Sequence, residues 1–180
     1  MLANYCFGGM FMARLNMNLR EDKGWTYGAR SGVSHSRVDG VFSAGAAVVT
    51  DKTADSVSEI LRELKESQGE RPFTQEELDG MRGSLLGTRP LRFESTGYLL
   101  GQSRDIWIYD LPSDWVTSYP DHVRSVTLEG AHTAWKRWIN PDQLTILVVG
   151  DSATIRPGLV ALGLPLTELD ADGMPVGATE

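Results

Sequence analysis

The first 50 residues combine an apolar helix pattern with two strand patterns, and this order restricts the fold more than any other feature. Apolar side chains recur at four-residue steps: Phe7, Phe11, Leu15 and Leu19. The spacing predicts one helix over 1–21 that Gly24 ends, with Gly8–Gly9 as a weak point. Residues 26–36 and 41–50 then follow as two antiparallel strands. A helix that leads into a hairpin is typical of domains in which helices cover an antiparallel sheet.

Helix patterns dominate the remainder of the chain. They cover 53–67, a segment that begins at Thr74, 94–109, 113–123, 127–138 and 153–162. Short strand patterns lie at 143–149 and 165–169. We therefore predict an α+β, two-layer domain with a mostly antiparallel sheet and helices packed on one face. The domain is expected to span residues 1–170, followed by a loose tail at 171–180.

Two details of these patterns predict how the elements pack. The strand at 41–49 is small and apolar on both faces, which predicts that both of its faces are covered. Three glycines recur along the helix that begins with the capping box of Thr74: Gly80, Gly83 and Gly87. A glycine inside a helix costs about 1 kcal/mol relative to alanine. We therefore expect another backbone to approach this helix closely at its glycines.

Composition excludes several classes of function. The net charge of −7 and the pI near 5.0 argue against binding to nucleic acid or to an anionic membrane surface. No apolar run approaches the ~20 residues that a membrane-spanning helix needs. Cys6 is the only cysteine, so no internal disulfide forms, and it lies in an apolar helix pattern without an activating charge. A cysteine nucleophile is therefore not expected.

The three histidines, His35, His122 and His132, do not have the spacing of a metal site. A zinc site takes three or four His, Cys, Asp or Glu ligands. No second histidine lies at helical spacing from any of the three, and the zinc signature H-x-x-E-H is absent from the sequence. No metal ligand is therefore predicted in this chain.

The most specific motif lies in residues 7–27, which follow the pattern F-G-G-x-F-x-x-R-L-N-x-x-L-R-E-x-x-G-x-x-Y. This motif resembles the C-terminal, non-zinc-binding domain of the pitrilysin-type (inverzincin) zinc metallopeptidases. The resemblance covers about residues 4–170 and is most specific over the first 30 residues. It implies a further strand before the first helix, which this sequence lacks. It also implies that a homologous domain, in the same polypeptide or in a partner subunit, holds the zinc, and it favours a periplasmic location.

Arg20 and Tyr27 are the candidate site residues. From the residues alone, Arg20 is a cation near a helix C-terminus, where it interacts favourably with the helix dipole, and Tyr27 is a strand residue with a buried ring. The resemblance implies instead that both contact a peptide substrate at the scissile bond. A guanidinium and a phenol there would stabilise negative charge on the carbonyl oxygen. Trp25 departs from the small or aliphatic residue that is frequent in the family, which would reshape the pocket beside them.

Two functions remain open at this stage. The first is a substrate-binding, catalytically incomplete domain that hydrolyses peptides only together with a zinc-bearing domain. The second is a proteolytically inactive scaffold subunit of a larger complex. Retention of Arg20 and Tyr27 favours the first, because a scaffold has no need of them. In either case the chain alone is expected to be inactive as a peptidase and to bind no zinc.

Overall fold

The computed structural model describes residues 1–176 as a set of helices and one two-stranded antiparallel sheet, so the predicted α+β class is confirmed. Helix α1 (Leu2–Asn4) continues as a π-helical turn (Tyr5–Gly9), and α2 (Arg14–Asn16) continues as a second one (Met17–Asp22). The strands are β1 (Thr26–His35) and β2 (Gly40–Val48), and a 3-10 turn (Thr50–Lys52) follows them. The remaining helices are α3 (Thr53–Gln68), α4 (Gln75–Arg92), α5 (Thr96–Ile108), α6 (Trp115–Ser125), α7 (Leu128–Trp138) and α8 (Ser152–Ala161).

The helix predicted over 1–21 is interrupted, because the backbone is extended at both ends of residues 10–13. The helical turn before this break lies directly against β1. A Cβ atom at Gly8 would lie 2.5 Å from Ser31 Oγ and 2.9 Å from the Ser31 backbone nitrogen. Only a glycine permits this approach of helix to strand. The second helical segment ends at Gly24 as predicted, with a left-handed φ of 66°.

The close approach predicted at Gly80, Gly83 and Gly87 is wrong. A Cβ atom at any of these positions would meet no heavy atom within 4 Å outside its own helix. The sequence shows that these three positions carry no side chain, but it does not show whether another backbone packs against them. The capping box at the start of this helix is confirmed, with Thr74 and Glu77 each bonded to the other's backbone N–H.

The sheet has one packed face and one open face. Ala29 pairs with Ala46 on the packed side, where the helical segments cover it, whereas Arg30 pairs with Gly45 on the open side. Exposed and half-buried residues alternate along β2. The prediction that β2 is covered on both faces is therefore wrong, because small apolar side chains also tolerate an open surface.

The strands predicted near the C-terminus do not form. Residues 143–149 have no strand geometry, and residues 165–169 contribute one isolated bridge, between Leu169 and Pro175. A strand needs a neighbouring edge to pair with, and these segments find none in the described part of the chain. Residues 177–180 of the predicted tail lie outside the described residues.

Trp135 of α7 lies at the centre of the core. Its ring centroid is 5.2 Å from that of Phe7, 5.5 Å from that of Phe73 and 5.6 Å from that of Phe42. The indole N–H donates to Ser67 Oγ at 2.9 Å, which satisfies its one polar group. Helices from both halves of the chain therefore share one aromatic core with the sheet. Within residues 1–176, no helix has the length and apolar character needed to cross a membrane.

Candidate functional site

Arg20 lies on the π-helical turn that precedes β1, and its side chain is about one-third exposed. The guanidinium lies over the ring of Phe11, 4.6 Å from its centroid, and Nη1 donates to Glu21 Oε1 at 2.7 Å. Arg30 of β1 also faces Phe11, with 5.7 Å between the guanidinium carbon and the ring centroid. We call Phe11, Arg20 and Arg30 the arginine cluster. It places two cations and one exposed aromatic ring at the surface beside β1.

Tyr27 is completely exposed, so the prediction of a buried ring made from the residues alone is wrong. Simple alternation would place Tyr27 on the packed face together with Ala29. The ladder, however, matches Thr26 to Val48 and Ala29 to Ala46, so β1 has one more residue than β2 at this point. This β-bulge turns Tyr27 out of the packed face. Within residues 1–176, no hydrogen bond or ion pair joins Tyr27 to Arg20.

Two residues of the motif that were not singled out as site residues hold this region in place. Asn16 is fully buried, and its Oδ1 accepts the backbone N–H of Ala29 at 3.0 Å while its Nδ2 donates to Phe11 O at 2.8 Å. Arg14 makes a bidentate ion pair with Glu77, with N···O distances of 2.5 Å and 2.7 Å. Only their position within the motif could have identified Asn16 and Arg14 from the sequence, since asparagine and arginine are common on helices. Residues of the motif therefore hold the bulge in place, in addition to supplying the candidate site residues.

The histidines are separate from the candidate site and from one another. His122 stacks on Trp115 with centroids 5.0 Å apart, His132 Nε2 lies 2.9 Å from Phe73 O, and His35 is exposed. Within residues 1–176, no three His, Cys, Asp or Glu side chains come close enough together to hold a metal ion. Residues 1–176 therefore hold no ligand set that fits the zinc of the peptidases the chain resembles.

Cys6 faces the core of the domain. Burial raises the pKa of its thiol to about 12, and the nearby Glu77 carboxylate adds to the effect. The thiol is 1% exposed and stays protonated at neutral pH. Cys6 therefore packs as a small apolar side chain.

Comparison with known proteins finds one family model that matches part of the chain. Residues 1–85 match the family model described as the peptidase M16 inactive domain. The chain is 25% identical to a solved peptidase M16 inactive domain from Pseudomonas fluorescens, with a TM-score of 0.71 over 79% of this chain and 34% of that one. Over its first half, the chain is therefore similar to the peptidase M16 inactive domain. The resemblance predicted from residues 7–27 is therefore confirmed.

Other known proteins are similar to the chain at lower identity. A protease from Helicobacter pylori has a TM-score of 0.64 at 18% identity, over 79% of this chain and 34% of that one. A conserved protein from Enterococcus faecalis has a TM-score of 0.63 at 19% identity, over 76% of this chain and 31% of that one. A non-peptidase homolog, YmxG, of Helicobacter pylori is 23% identical over 82% of this chain. The chain spans about a third of the length of the proteins that it matches, 34% in the case of YmxG.

Proposed function

We propose that this M16-type domain is the substrate-contacting, non-zinc part of a peptidase whose metal is held by a homologous domain. That domain would lie in the same polypeptide or in a partner subunit, and an unfolded peptide would be the substrate. The proposal rests on the family relationship together with the position of Tyr27. The resemblance also favours the periplasm, which cell fractionation would test.

The exposure of Tyr27 is the observation that carries the proposal. A tyrosine that serves only the core buries its ring, and the alternation of β1 would permit this. Here a bulge anchored by a fully buried asparagine turns the ring outward and leaves its hydroxyl available. Bulges are over-represented beside active sites, where they re-aim a side chain. A hydroxyl held in this way would donate a hydrogen bond to the carbonyl oxygen of a bound peptide.

The arginine cluster supports a role for Arg20 beside Tyr27. Phe11 lies against the guanidinium groups of both Arg20 and Arg30, which limits the positions that their side chains adopt. The open face of the sheet next to the cluster carries small side chains, including Ser43 and Gly45. An extended peptide could therefore lie close to the backbone there, with Arg20 contacting its carbonyl oxygen. That contact would contribute to substrate binding and to catalysis alike.

The test compares Tyr27→Phe with the unmodified chain in the enzyme assembled with its zinc-bearing domain. Because Tyr27 is exposed, the change should leave the fold intact. Loss of one positioned donor to a developing oxyanion should lower kcat about 10²–10³-fold, with little change in KM. Tyr98→Phe, which removes a hydroxyl from α5, is the control and should keep full activity. A Tyr27→Phe enzyme with unchanged kcat and kcat/KM would contradict the proposal.

The second candidate is a proteolytically inactive scaffold subunit. It is favoured by one specific finding, that a matched relative is described as a non-peptidase homolog. A scaffold would bind its partner subunit without any effect on peptide cleavage. Mixing this chain with its zinc-bearing partner separates the two functions. Activity that needs both chains supports the first, and full activity of the partner alone supports the scaffold.

A further inference from the structure

A pocket of about 340 Å³ lies among α4, α5 and α6, on the side of the domain where β1 ends. The hydroxyl of Tyr109 donates to the backbone carbonyl of His35 at 3.2 Å, and this bond joins the end of α5 to the end of β1. Neither Arg20 nor Tyr27 lines this pocket. The pocket is therefore separate from the candidate site, and it has the size of a site for a small molecule.

Arg89 of α4 lines the pocket with a guanidinium group that has no counter-ion. Its side chain is buried, with 8% of the residue exposed. Within residues 1–176 it makes no ion pair, its one hydrogen bond joins Nη2 to Val116 O at 2.9 Å, and the buried Nε has no partner. A buried arginine is almost always paired with an acid. A shortage of carboxylates does not explain the exception, since the chain has 24 acidic residues and 17 basic ones.

Aromatic rings hold this guanidinium in place. Its carbon lies 4.8 Å from the ring centroid of Phe93 and 4.8 Å from that of Tyr119. The ring of Trp115 continues the wall of the pocket, with its centroid 6.0 Å from that of Tyr119. Ring faces attract a cation, but they do not neutralise its charge. The pocket therefore presents a positioned, uncompensated cation beside two aromatic walls.

The other charged side chains of the pocket indicate how much negative charge it accepts. Arg92 and Asp105 line it together with Arg89, so the lining carries one positive charge in excess. Asp105 Oδ1 accepts a hydrogen bond from Arg104 Nη2 at 2.8 Å, and within the described residues it pairs with neither Arg89 nor Arg92. An anion of single charge matches this excess, whereas Asp105 would repel a doubly charged phosphate.

We propose that this pocket binds a carboxylate of single charge that carries an aromatic group. The carboxylate would lie against Arg89 and accept from its free N–H groups, and the aromatic group would pack against Trp115 and Tyr119. Guanidinium and carboxylate are matched in shape as well as in charge. The ligand would thus supply the acid that the buried arginine lacks. The proposal does not depend on the peptidase function, because the pocket is separate from the candidate site.

A titration of the chain with N-acetylphenylalanine, followed by nitrogen–proton correlation spectra, tests the ligand class. The acid should shift resonances of residues around the pocket and saturate with a dissociation constant below about 1 mM. N-acetylphenylalanine amide, which has no charge, should bind about tenfold more weakly or worse. N-acetylalanine, which keeps the carboxylate without the ring, should be weakened about as much. No saturable shift at the pocket, or equal affinity for the acid and its amide, would overturn the proposal.

Two arginine variants test the role of the buried charge. Arg89→Met removes the charge and keeps a side chain of similar length, and it should weaken binding of the acid about tenfold or more. Arg137→Met is the matched control, because Arg137 also lies over an aromatic ring, 4.9 Å from the centroid of Trp138, but on the exposed surface of α7. It should bind the acid as the unmodified chain does. A folded Arg89→Met variant with unchanged affinity would overturn the proposal.

A second pair of variants locates the ligand without altering Arg89. Gln102 of α5 lines the pocket, and Gln102→Trp should fill it and abolish binding. Ser103→Trp makes the same change at the next residue, which is exposed and does not line the pocket, and it should keep full affinity. Unchanged affinity in Gln102→Trp would place the ligand elsewhere and overturn the proposed site.

A carboxylate with an aromatic group occurs both in free aromatic acids and at the end of a peptide whose last residue is aromatic. Indoleacetate and a pentapeptide that ends in phenylalanine represent these two sources. Tighter binding of indoleacetate would support the site and identify a free acid, and tighter binding of the peptide would support it and identify a chain end. Failure of both to shift the pocket resonances would overturn the proposal.

Discussion

Asn16 Oδ1 accepts the backbone N–H of Ala29 across 3.0 Å, and this contact anchors the bulge that exposes Tyr27. Asn16→Ala should lower the free energy of unfolding by about 2–4 kcal/mol, because it leaves the buried Ala29 N–H without a partner and also removes the part-buried hydrogen bond to the Phe11 carbonyl. Urea unfolding measures the change. Asn140→Ala, at an exposed asparagine, should cost well under 1 kcal/mol. Similar losses in the two variants would show that Asn16 does not hold the bulge.

Gly8 and Gly83 should respond to alanine in opposite directions. Gly8→Ala should destabilise the domain by about 1–3 kcal/mol, because its methyl group would meet the backbone nitrogen of Ser31 at 2.9 Å. Gly83→Ala should stabilise it by about 0.5–1 kcal/mol, since the position is exposed in a helix with free space around it. Thermal unfolding of the two variants gives the signs. Stabilisation by Gly8→Ala would contradict the close contact of helix and strand.

Local signals in the sequence predicted most of the helices. The helix expected at 53–67 spans Thr53–Gln68, and the capping box at Thr74 starts α4 as predicted. A cap and an apolar stripe are decided by residues within a few turns of each other, so one segment of sequence is enough to recognise them. The features that failed depend on distant partners. Residues 143–149 have the composition of a strand, but only a paired edge makes them one.

The candidate site was predicted only in part, because it too depends on contacts between residues that are distant in the sequence. The motif identified Arg20 and Tyr27, and it did so through resemblance, because the residues alone favoured a buried ring for Tyr27. What exposes that ring is a bulge, and the bulge depends on a hydrogen bond between Asn16 and Ala29 that no local pattern reveals. The arginine cluster depends on the break at 10–13, which brings Phe11 to the surface. Whether Arg20 and Tyr27 contact a peptide stays a prediction.

Glu77 should make the stability of the domain depend on acid pH. Burial opposes ionisation of its carboxyl group, but hydrogen bonds from Arg14 and Thr74 outweigh this and hold its pKa below the usual value. A lowered pKa stabilises the fold above the unfolded pKa of about 4.3, and the stabilisation is lost as the pH falls through the folded pKa. The free energy of unfolding of the wild type should therefore be about 1–3 kcal/mol higher than that of Glu77→Gln at pH 7, and the difference should be much smaller at pH 3. Glu129→Gln, at an exposed glutamate in the first turn of α7, is the control, and its stability relative to wild type should not change with pH. A stability difference between wild type and Glu77→Gln that stays constant with pH would contradict the lowered pKa of Glu77.

Cys6 should make the stability of the domain depend on pH at the alkaline end of the range. Burial raises its pKa from 9.0 to about 12, so the folded protein keeps the thiol protonated where the unfolded chain ionises it. The contribution is fully present below pH 9 and is lost as the pH rises towards 12. Relative to Cys6→Ala, wild type should lose about 1.4 kcal/mol of stability per pH unit in this window. Urea unfolding of both proteins at pH 8, 9.5 and 10.5 tests this, and other titrating groups cancel in the comparison. A difference between the two proteins that stays constant across these pH values would mean that the thiol ionises as readily in the folded protein as in the unfolded chain.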